Sequence, residues 1–84
     1  MASGMLGLER TNLENALNYS YSVLSFNTQK IEEKKALLRQ TTSETKKLEL
    51  KTDIDLLEVQ NAQTRISIEK IHSKLNSLNE EMQR

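Results

Sequence analysis

Few side chains in this sequence belong to the types that carry out reactions, and their spacing does not bring them together. His72 is the one histidine, and there is no cysteine. A single imidazole does not build a metal site. The lack of thiols removes disulfides, Cys-based metal sites and Cys nucleophiles. Carboxylate pairs do occur, at Asp53 with Asp55 and at Glu80 with Glu81. General acid–base work needs such groups in a preorganised, partly dehydrated pocket. On a helix these pairs sit at exposed positions and act as solvated surface. Arg65 and Glu69 stand in the weaker order for a helical ion pair, while Glu80 and Arg84 stand in the stronger one. Arg84 would also complement a helix C-terminus. There is no Gly-rich phosphate loop and no His-Glu zinc motif. The sequence therefore predicts no catalytic, cofactor-binding or metal-ligating residue, and a chain that takes no cofactor and is not an enzyme.

The elements around these residues point the same way. The chain has 84 residues, enough for at most one small domain. It has no Pro and no Trp, and its only glycines are Gly4 and Gly7. From Leu8 onward nothing forces a helix to break, and no cluster of turn residues is present. Twelve basic and twelve acidic residues cancel, so the chain has no general attraction for nucleic acid or a membrane surface. No apolar run is long enough to span a bilayer and no signal peptide is evident, which predicts an intracellular location in cytoplasm, cytoskeleton or nucleus.

Four segments follow from the pattern. Residues 1–10 read as a disordered start or cloning remnant. Residues 11–40 read as a helix, with Thr11 and Glu14 at capping-box spacing. Within it Leu17, Leu24, Ile31 and Leu38 recur every seven residues, while Ser20, Asn27, Lys34 and Thr41 occupy the other half of that heptad. A second track of Ala16, Tyr19, Val23 and Phe26 widens the apolar face between residues 13 and 31. A wide face suits docking of a further helix, so Leu17, Val23, Leu24, Phe26 and Ile31 are candidate partner-binding residues. Residues 41–49 are polar and shift the phase of the pattern; Thr41 with Glu44 repeats the capping-box spacing. Residues 30–51 hold seven basic and four acidic side chains.

Residues 50–84 carry the strongest periodicity. Steps of four and three give Leu50, Ile54, Leu57, Asn61, Thr64, Ile68, Ile71, Leu75, Leu78 and Met82. This is an a/d heptad seam, and the chain resembles coiled coils as a class over about residues 10–83. These ten residues are the predicted oligomer interface. Asn61 at an a position predicts a register device, because misalignment buries an unpaired amide. Leu56, Val59 and Ile66 point outward from this seam.

The expected fold is all-α. Without Gly or Pro at residues 41–47, one long continuous helix forming a parallel coiled-coil dimer is favoured. The alternative is an antiparallel helical hairpin that assembles into a four-helix bundle. The expected function is structural oligomerisation within a larger scaffold, cytoskeletal or chromosome-organising protein. The expected partner is the chain itself or a related coiled-coil chain, with neither nucleic acid nor membrane. The alternative is an adaptor helix that binds a different protein through the face at residues 13–31.

Overall fold

The computed structural model describes residues 2–83 and contains two helices, α1 over Ala2–Gln40 and α2 over Glu44–Met82. Weak helix formers inside them are accommodated by back-bonding. The hydroxyls of Thr11, Ser20, Ser22, Thr52 and Thr64 each donate to the carbonyl four residues earlier. Ion pairs one turn apart add modest support, as at Arg10–Glu14 (3.5 Å) and Lys30–Glu33 (3.6 Å). Helix α1 starts ahead of Thr11, so the expected disordered start is helical from Ala2 on, and Thr11 lies inside the helix rather than capping it. Met1 and Arg84, with the Glu80–Arg84 pair, lie outside the described residues.

The favoured continuous helix is not what forms. The chain reverses at Thr41, Thr42 and Ser43 and the two helices lie side by side, antiparallel. The reversal uses hydroxyls instead of glycine, and no described residue has a positive φ. Thr41 N–H still donates to the Leu37 carbonyl at 2.9 Å, closing α1. Ser43 then takes an extended conformation (φ −77°, ψ 122°), and its Oγ accepts from Lys46 N–H at 3.3 Å. That is an N-cap, with Glu44 in the first turn where the helix dipole favours negative charge. Thr41 Oγ1 accepts from Ser43 N–H, so Thr41 braces the turn and Ser43 caps α2, two residues beyond the expected cap.

The register of the pair can be read from two bonds. Asn27 Nδ2 donates to Gln60 Oε1 (3.4 Å), and Lys34 Nζ lies 3.2 Å from Asp53 Oδ2. One heptad forward in α1 is thus one heptad backward in α2, as two antiparallel seams require. The outcome is a rod of 63 × 14 × 13 Å. Its radius of gyration is 18.8 Å, against about 12 Å for a compact chain of this length. The core is a single line of side chains: Ile31, Leu50, Ile54, Ile68 and Leu78 are buried, together with the amides of Asn27 and Asn61. No described side chain is sealed from solvent completely.

Candidate interaction surface

The hairpin sorts the apolar residues into those it uses internally and those it leaves outside. The seam of α2 faces α1 of the same chain. Leu50, Ile54, Asn61, Ile68 and Leu78 are buried there, and Leu57, Thr64, Ile71 and Leu75 are half-buried. Met82, at the open end, stays exposed. These residues form an intramolecular interface. Asn61 accordingly does not need a second Asn61 opposite it. It lies 3% exposed beside α1, in a groove with Thr28, Ile31 and Lys35, and its Oδ1 has no hydrogen-bond partner.

Helix α1 turns its heptad inward as well, both halves of it. Leu17, Leu24 and Leu38 are half-buried and Ile31 is buried. The polar half, which looked poor as a seam, sits inside too: Asn27 is buried and Ser20, Lys34 and Thr41 are half-buried. Asn27 and Lys34 find polar partners on α2 in Gln60 and Asp53, whereas Ser20 donates to the Ala16 carbonyl and Thr41 accepts from Ser43 N–H in the turn. The candidate partner-binding set therefore divides. Leu17, Leu24 and Ile31 belong to the hairpin core, so they are corrected from a docking face to an internal one. Val23 and Phe26 remain on the flank, with Phe26 60% exposed.

Around that flank a continuous stripe runs along α1. Steps of three and four connect Leu8, Asn12, Ala16, Tyr19, Val23, Phe26, Lys30, Glu33 and Leu37, with the Lys30–Glu33 ion pair between Phe26 and Leu37. Leu8, Tyr19, Phe26 and Leu37 are exposed. Lys30 folds over the Phe26 ring, its Nζ 5.4 Å from the centroid. The stripe lies on the edge where Asn27 and Lys34 meet Gln60 and Asp53. Leu56 joins it from α2, in a groove shared with Lys34, Asp53, Leu57 and Gln60. The opposite edge is polar: there Tyr21 Oη and His72 Nε2 are hydrogen bonded at 3.1 Å, and Glu32, Lys35, Glu58 and Arg65 gather. Val59 and Ile66, on the back of α2, are exposed as their heptad positions predict.

The chemistry of the surface is that of contact. Its depressions are open grooves between ridges of side chains. Among the described residues no group of three or more His, Cys, Asp or Glu could hold a metal ion. No described helix is long and apolar enough to cross a membrane. The Tyr21–His72 contact brings residues 51 apart in sequence together, and heptad spacing alone gave no sign of it. A signal existed in the flanking positions, since both residues follow an inward position on the same side of their helices. No family model, no curated protein and no solved structure matches this chain.

Proposed function

We propose that the chain is a non-enzymatic assembly module, a helical hairpin that joins a larger protein complex by laying the α1 stripe against helices outside itself. The observation that carries this reading is the exposure of Tyr19 and Phe26, flanking half-buried Val23, with Leu37 and Leu56 exposed farther along the same edge of the rod. Aromatic and aliphatic side chains left exposed along one edge mark candidate contact surfaces. The thin core supports the same reading. Two helices bury only one line of apolar side chains, and a pair of this kind gains stability when further helices cover it. A role in a scaffold, cytoskeletal or chromosome-organising assembly fits this mode of contact. The heptad seam of α2 serves here to close the hairpin, so the association that the sequence placed at the seam falls to the stripe.

Two variants test the proposal by separating the two surfaces. Val23→Glu with Phe26→Glu places charge on the stripe and leaves the hairpin core untouched. In the cells that express the protein, this double variant is expected to elute near its own mass while wild type elutes in a larger complex, with the helical circular dichroism of the purified variant unchanged. Ile54→Glu, in the core, is expected to lose the helical signal itself. A stripe variant that still enters the complex at the wild-type level would refute the proposal.

A further inference from the structure

The two inward faces of the hairpin are separated by an unusual step. In α1 the inward positions Leu17, Leu24, Ile31 and Leu38 repeat every seven residues, and in α2 Lys47, Ile54, Asn61, Ile68 and Leu75 do the same. From Leu38 to Lys47 the step is nine residues. At about 3.6 residues per turn, nine residues of straight α-helix make two and a half turns. A helix running through residues 38–47 would therefore carry the α1 seam and the α2 seam on opposite sides. In the hairpin the offset costs nothing, because the turn at Thr41–Ser43 sets the direction of α2 afresh. We infer that the nine-residue step keeps helix pairing within one chain, by stopping two copies from opening and exchanging helices through a helical hinge.

In every other respect the exchange is prepared. A turn of three residues is a short hinge, and short hinges invite swapping. It holds no glycine or proline and no positive φ, so its backbone can join the helices on either side. The levels along the rod match as well. Lys34 and Asp53 lie equally far in sequence from the Ser43–Glu44 bond, and so do Asn27 and Gln60. Two opened chains crossing antiparallel at that bond would set Lys34 of one level with Asp53 of the other, and Asn27 level with Gln60. Only the direction of the faces fails. With α1 of one copy seated on α2 of the second, the α2 seam of the first and the α1 seam of the second point away from the pair. Ile54 and Ile68 of the first copy and Ile31 of the second, all buried in the hairpin, would then stand in water. The hairpin buries both seams, and the closed exchange buries half of them.

Changing the step tests its role. Deleting Thr42 and Ser43 shortens the nine residues to seven and puts both seams in one heptad frame. Deleting Thr41, Thr42 and Ser43 removes the whole turn but leaves a step of six, with the seams about a third of a turn apart. Small-angle scattering reads the length of the purified chains and sedimentation equilibrium their mass. The unaltered chain is expected to keep the 63 Å length, also after refolding from urea at high concentration. The two-residue deletion is expected to form a discrete pair of chains about 120 Å long. The three-residue deletion is expected to form no such pair. A 120 Å pair from the unaltered chain would overturn the inference. So would a two-residue deletion that keeps the 63 Å length or loses its helical circular dichroism, and so would a three-residue deletion that forms the same pair. Rod length is independent of what covers the α1 stripe, so this outcome and that of the stripe variant are read separately.

Discussion

Replacing Asn61 by leucine is expected to stabilise the hairpin, and the size of the effect follows from the site. Asn61 is 3% exposed and its Oδ1 meets no donor. A buried carbonyl oxygen left unpaired costs about 1–3 kcal/mol. Leucine has the same number of side-chain heavy atoms, so it fits the space without demanding much rearrangement, and burying it contributes roughly 1.5–3 kcal/mol. Changes of hydrogen-bond partners at the amide nitrogen oppose part of this gain. A net stabilisation of about 2 kcal/mol is a conservative outcome, which for a domain of this size raises Tm by roughly 10 °C. Thermal unfolding by circular dichroism, at several protein concentrations, measures it. A Tm that falls, with the molecular mass unchanged, would refute the argument and mean that the carbonyl is satisfied in solution. A second consequence concerns register. Once the amide of Asn61 is gone, the α2 seam from Ile54 to Ile71 keeps Thr64 as its one polar member and no longer penalises pairing with another α2. The variant is therefore expected to populate additional oligomers, visible as a broadened mass distribution.

Other perturbations address the turn, the core and the charged edge. Ser43→Ala removes the N-cap of α2 and is expected to cost about 1 kcal/mol, read as a lower urea midpoint at constant m-value. Replacing Thr41, Thr42 and Ser43 together by alanine favours one continuous helix of about 120 Å. Small-angle scattering should then show a maximum dimension near that length instead of the 63 Å of the hairpin. Ile68→Lys combined with Ile71→Lys strikes a buried and a half-buried seam position, and loss of most helical signal is expected, not merely loss of association. The Lys34–Asp53 pair is partly exposed. A double-mutant cycle to Met and Asn is expected to return no more than about 1 kcal/mol of coupling, weakening as salt is added.

The helical periodicity, the α2 seam and the outward placement of Leu56, Val59 and Ile66 were legible in the sequence. Period is a local property and these residues express it directly. The turn was not legible, for a reason specific to its chemistry. Glycine and proline announce reversals, but this one is made by a serine in ordinary extended backbone and a threonine hydroxyl that braces it, both common elsewhere in the chain. The polar half of the α1 heptad misled for a related reason. Asn27 and Lys34 look like a failed seam until Gln60 and Asp53 are seen opposite them, and that pairing is a property of two segments together. The phase shift between Leu38 and Leu50 was visible. It is the point where α1 hands over to α2.

The side-by-side antiparallel arrangement also dictates how the chain can fold. The cross-helix bonds form a ladder of growing span, with sequence separations of 19 for Lys34 and Asp53, 33 for Asn27 and Gln60, and 51 for Tyr21 and His72. Closing the widest of these from an open chain is slow, but each rung shortens the free loop for the next. The hairpin is thus built to zip from the Thr41–Ser43 turn outward, on the microsecond-to-millisecond scale of helical proteins with mostly local contacts. It melts in reverse order. Amide exchange should be slowest beside the turn and fastest toward Met82, so the turn end is the most persistent part of the molecule and the open end the first to fray.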